Sequence, residues 1–221
     1  MFMHTNICIV RGSNPRPLRS SQFLNHCAKT LLLTVYYESK CPDSKRFVLE
    51  QLRPTMKLLS DNIMLRLVPF GKASSLNHGY DGFQCQHGPT ECLGNMIHSC
   101  TLDQMQDESD MKKVEYVACE FGNYASTKGD LLCVHKAGVS TEAVKQCATS
   151  GRGTELQLDA EYLTKLVRPK FIPTVTINGI FNQQIQDSAQ LDLRGTLCSI
   201  LKETRKCARH YNSMAMKYVL F

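Results

Sequence analysis

The segment TLLLTVYYESKCPDS, Thr30 to Ser44, passes from a continuous apolar run into a cysteine and a proline with no linker between them. Thr30–Ser39 is too short for a membrane span and rich in β-branched and aromatic side chains, the composition of a buried strand. Pro42 suits the first helical position, where its missing N–H sacrifices no hydrogen bond, so a helix starts at Cys41 or Pro42. Val48, Leu52, Met56 and Leu59 recur on one face of that helix, and Pro54 is expected to kink it. IMLRLVPFG, Ile63 to Gly71, supplies a second strand ending in a Pro/Gly break. Strand, helix and strand in that order define a βαβ unit with a cysteine at the helix mouth.

The grammar changes after Gly71. Residues 72–168 contain helices around Glu91–Met105 and Thr141–Thr149, the latter with Ser140 as N-cap and Gly151 past its end. TELQLDAEYLTKLV is a further helix that stops before Pro169, and VEYVACEF fits helix or strand equally well. FIPTVTINGIF then reads as a β-hairpin turning at Asn178-Gly179. A last amphipathic helix carries Leu191, Leu193, Leu197, Cys198 and Leu201. The expected fold is α/β: a thioredoxin-like core (βαβ…ββα) from residues 29–71 and 169–207, split by a cysteine-rich, mainly helical insertion over 72–168. Residues 1–28, which lack periodicity, are read as an extension that is disordered or processed away, and residues 208–221 as a tail.

The chain has 11 cysteines in 221 residues, and that density points to disulfides in an oxidising compartment. The first residues do not match this: they are polar, interrupted by Pro15 and Pro17, and contain no legible secretory signal. The formal charge of +6 comes from scattered basic residues with no recognition module, so no nucleic-acid partner is expected, and no membrane span either.

A thiol attacks a disulfide only as the thiolate, and the N-terminus of a helix stabilises an anion through unpaired N–H groups and the macrodipole. Cys41 stands at such a position; the alternative is a strand-end cysteine in a structural disulfide. Asp43 acts in both directions, favouring the dipole and opposing a neighbouring thiolate. Ile172-Pro173 is the second element, because in thioredoxin-like folds a cis-proline before a core strand lies against the reactive sulfur and presents backbone to an extended substrate; the alternative is an ordinary proline at the start of a strand. CQHGPTECLGNMIHSC, Cys85 to Cys100, admits a zinc reading through Cys85, His87, Cys92 and Cys100. Its gaps of six and seven residues do not match the short repeated pairs of structural zinc sites, so no metal is expected.

YYESKCPDSKRF, the string Cys85–Cys100 and FIPTVTING together resemble the gamma-interferon-inducible lysosomal thiol reductase family over residues 31–207. The resemblance implies an enzyme that reduces disulfides of unfolding proteins in lysosomes or outside the cell, without a cofactor other than an external small thiol as reductant. It implies Cys41 as attacking thiol, Pro42, Ile172 and Pro173 as substrate contacts, and structural disulfides among Cys85, Cys92, Cys100, Cys119, Cys133, Cys147, Cys198 and Cys207. Two features depart from the family: Ser44 stands where its best-characterised members carry a second cysteine, and no Asn-x-Ser/Thr acceptor for a glycan occurs. Ser44 cannot resolve a mixed disulfide, though its hydroxyl is able to donate to the Cys41 thiolate. The expected activity is therefore a single-thiol reductase resolved from outside. The alternative is a redox-inactive thioredoxin-like protein that binds extended or unfolded polypeptides. Cys8 and Cys27 have no assigned role.

Overall fold

The computed structural model describes residues 30–201 and Cys207. Residues 1–28, with Cys8 and Cys27, and the tail 208–221 lie outside the described residues.

Strand β1 (Leu31–Tyr37) is the middle of a three-stranded sheet ordered β2-β1-β5. It runs parallel to β2 (Ile63–Pro69), with Leu31 opposite Ile63 and Tyr37 opposite Pro69, and antiparallel to β5 (Thr174–Ile177). A central strand is covered on both faces, which is why its apolar residues are continuous instead of alternating. Leu33, Val35 and Tyr37 face the main core, whereas Tyr36 joins Val68, Phe70 and Ala160 in a second cluster on the other face. Full burial of a Leu, Val or Phe side chain among these contributes about 1.5–3 kcal/mol.

The helix after Cys41 has three parts: α1 (Pro42–Arg46), a π-helical stretch (Phe47–Leu52) and α2 (Arg53–Leu59). At Pro54 the irregularity takes the form of a π-helical turn just before the proline. Pro54 has no N–H, and its ring would crowd the carbonyl four residues back; the preceding turn widens, and the Arg53 N–H reaches the Val48 carbonyl five residues away. The insertion begins with the short strands β3 (Ser74–Ser75) and β4 (Phe83–Gln84) and continues as α3 (Pro89–Gln104), α4 (Asp110–Asn123), α5 (Leu132–Lys136), α6 (Thr141–Ala148) and α7 (Gly151–Val167). VEYVACEF resolves as helix within α4. Ser140 caps α6 as expected, accepting from the Ala143 N–H at 3.2 Å. Gly151 opens α7 instead of merely following α6, because Ser150 caps the new helix by accepting from the Arg152 N–H.

The hairpin expected at FIPTVTINGIF is reduced. β5 is followed by the Asn178-Gly179 turn, but its return arm makes a single bridge, Ile177 to Ile180, before helix α8 (Gln183–Leu201) begins. Both turn residues have positive φ, as the Asn-Gly signal requires. Ile180 is largely exposed, so nothing buries a return strand.

Candidate active site

Cys41 caps α1. Its backbone is extended, its N–H donates to the Glu38 carbonyl at 3.2 Å, and its sulfur accepts from the Ser44 N–H at 3.4 Å. The sulfur also lies 3.7 Å from the carbonyl oxygen of Ile172. The Ile172-Pro173 peptide bond is cis, so strand β5 begins directly against the thiol. Cys41 and Ile172 are buried, Cys41 to 6% exposure, while Pro42 and Asp43 face solvent. The Ser44 hydroxyl is fully buried and accepts from the Glu38 N–H at 3.3 Å; the group of Ser44 that meets the sulfur is its backbone amide. Asp43 is ion-paired with Arg46 at 2.9 Å, which spreads its charge away from the thiol.

The expected disulfide cysteines form four bonds: Cys85–Cys92, Cys100–Cys147, Cys119–Cys133 and Cys198–Cys207. Among the described residues Cys41 is the free cysteine. The thiolate set considered for zinc, Cys85, Cys92 and Cys100, is consumed in two of these bonds, and His87 turns elsewhere.

The turn that carries Cys41 is built on the insertion. Ser39 donates its N–H to Asn95 Oδ1 at 2.9 Å and its hydroxyl to the Glu91 carbonyl at 3.0 Å. Lys40 reaches the His87 carbonyl and Thr90 Oγ1. This close approach needs Gly94 on α3, where a Cβ would lie 2.4 Å from Ser39 Oγ. Glu38 is fully buried, and burial pushes its carboxyl above the ordinary range. Sequence reasoning missed Glu38, His87, Glu91 and Asn95 as a group. The available signal was a carboxylate at the end of an apolar strand and a His-to-Glu spacing of four at a helix start.

A second buried polar group lies deeper on α3. His98 Nδ1 is 3.0 Å from the Tyr37 hydroxyl, and its Nε2 is 3.1 Å from Ser126 Oγ. Complete burial lowers its pKa to about 3 and holds the ring neutral. Glu120, 3.8 Å away, is shifted upward by burial.

A three-stranded sheet with a helix-capping cysteine facing a cis-proline segment defines a thioredoxin-like protein of the thiol–disulfide oxidoreductase class. A solved structure of an oxidised DsbA1 complex shares this fold at TM-score 0.50 and 16% identity, covering 89% of this chain and 93% of that one. Residues 32–150 match the model of the gamma interferon inducible lysosomal thiol reductase family. The chain is 33% identical to GILT-like protein 1 of Drosophila melanogaster, over 84% of this chain and 81% of that protein. It is 35% identical to the gamma-interferon-inducible lysosomal thiol reductase-like protein of Anopheles gambiae, over 76% and 75%. The chain belongs to this family. No helix among the described residues is long and apolar enough to cross a membrane.

Proposed function

We propose that the protein reduces disulfides of unfolding polypeptides through Cys41 as its single attacking thiol. The observation that carries this reading is the free Cys41 sulfur at a helix N-terminus, 3.7 Å from the Ile172 carbonyl beside cis-Pro173. The Cys41 thiolate attacks one sulfur of a substrate disulfide; that S–S bond breaks, a Cys41–substrate bond forms, and the departing thiolate takes a proton. With Ser44 in place of a resolving thiol, an external small thiol attacks the mixed disulfide and releases the reduced substrate. A second equivalent frees Cys41 and leaves the small thiol oxidised, so the reaction needs no other cofactor. An extended substrate lies along Pro42, Ile172 and Pro173. The word lysosomal in the family's name supports the lysosome as the compartment of action, with the extracellular space as the second expectation.

The buried Ser44 favours one other reading, a protein that captures extended or unfolded chains across the Pro173 face without turnover. The two part in one assay: reduction of a denatured disulfide-bonded protein at about pH 5, where uncatalysed exchange is slow, with excess small thiol. The wild type turns over and Cys41→Ser falls to the uncatalysed rate. A folded wild type with no turnover, and binding indifferent to Cys41→Ser, overturns the enzyme and leaves the binder.

A further inference from the structure

Glu38, His87 and Glu91 come together although the strand end and the insertion that supply them are about fifty residues apart in the chain, a separation that matters because it takes the whole fold to build the cluster. Their three nearest side-chain ligand atoms lie within 4.8 Å of one another. Both carboxylates are buried to within a percent, and the imidazole is about one-third exposed. Each carboxylate takes a backbone N–H on one of its oxygens. Glu38 Oε1 accepts from the Lys72 N–H at 2.7 Å, and Glu91 Oε1 accepts from the His87 N–H at 3.1 Å. The other oxygens both turn to His87 Nδ1, at 3.4 Å from Glu38 Oε2 and 2.5 Å from Glu91 Oε2. One ring N–H points along one line, so the nearer Glu91 takes it and Glu38 Oε2 has no hydrogen-bond donor. A buried carboxylate oxygen without a donor is costly, and a cation is the ligand that relieves it.

We propose that Glu38 Oε2, His87 Nδ1 and Glu91 Oε2 form a binding site for a divalent transition-metal ion of the zinc class. Imidazole nitrogen and carboxylate oxygen are both zinc ligands, at about 2.0–2.2 Å from the metal, and a set of three protein ligands leaves the fourth position open. Tetrahedral angles then put ligand atoms about 3.4 Å apart, a spacing that His87 Nδ1 and Glu38 Oε2 already have at 3.4 Å, whereas His87 Nδ1 and Glu91 Oε2, at 2.5 Å, part by about 1 Å to admit the ion. The backbone amides on the far oxygens act as the outer shell that aims each carboxylate. The His87 side chain is about one-third exposed, so the imidazole edge of the set meets solvent. The Glu38 carbonyl also accepts from the Cys41 N–H, so a bound ion pins the active-site turn to α3. This departs from the metal-free expectation of the sequence, where only the cysteines suggested ligands.

The test is zinc titration by calorimetry on chelator-treated, full-length Cys41→Ser protein, in which no free active-site thiolate competes and the outcome is independent of reductase activity. One saturable event is expected, weakened roughly tenfold or more by Glu38→Gln and by His87→Ala. Cobalt in place of zinc gives a visible spectrum of nitrogen and oxygen ligation without thiolate charge transfer. His87→Ala alters a partly exposed side chain and keeps the proposal testable if Glu38→Gln loses its native circular dichroism. Absence of saturable binding to natively folded protein overturns the site, as does equal affinity in both variants, which assigns the zinc to other histidines.

Discussion

Cys41 and the cysteines of the helical insertion are the same residue type, treated in opposite ways by the fold. In the insertion, helices bring sulfurs into pairs: Cys100 on α3 meets Cys147 on α6, and Cys119 on α4 meets Cys133 on α5. At the end of β1 the sulfur meets a backbone amide and a carbonyl, and the neighbouring position three residues on is Ser44. The difference teaches that the fold uses the insertion's sulfurs for cohesion and leaves the one past the end of the central strand available for exchange.

The largest effect that sharpens this comparison is Ser44→Cys. With little external thiol, a Cys41–substrate adduct accumulates in the wild type on a non-reducing gel; the added thiol resolves it, and the adduct disappears. An adduct equally stable in both proteins means that the Ser44 position does not reach the mixed disulfide. Next is the double change Cys100→Ala with Cys147→Ala. The bond spans a sequence separation of 47 residues, and its loss costs about 4 kcal/mol by loop entropy. Urea unfolding measures this, and specific activity of the folded fraction stays near wild type if the bond serves cohesion alone.

A smaller effect comes from His98. Its folded pKa of about 3 lies below the ordinary 6.5, so the unfolded chain takes up the proton first as the medium acidifies. Stability is lost from about pH 6.5 downward to about pH 3, and roughly 2 kcal/mol is gone by pH 5. Glu120, raised by burial, acts in the other direction: its contribution is present in acid and lost as pH rises through its folded value. His98→Gln therefore flattens the dependence of the urea midpoint between about pH 7 and 5 even if it lowers the midpoint throughout; an unchanged slope refutes the assignment. The smallest change is Ser140→Ala, which removes the cap of α6 for about 1 kcal/mol and leaves turnover unaffected.

Much of the core was legible because it rests on local rules. A continuous apolar run marked the central strand, Pro42 marked the helix start, and Ser140 marked a cap. Legibility failed where a neighbour decides. Pro54 widens the helix because an upstream turn accommodates it, and the return arm at Ile180 has no surface to cover it. The stretch in α4 is helical because Val114, Val117 and Phe121 face the core at helical spacing.

The sequence by itself determined that a thiol follows a buried strand at a helix N-terminus and that no second thiol stands three residues away, since both are matters of covalent order. Only the tertiary structure decided that this thiol faces Ile172 and that Glu38 meets His87 and Glu91. Those contacts join residues distant along the chain, and no local periodicity encodes them; they exist only once the sheet has paired and α3 has packed against the end of β1.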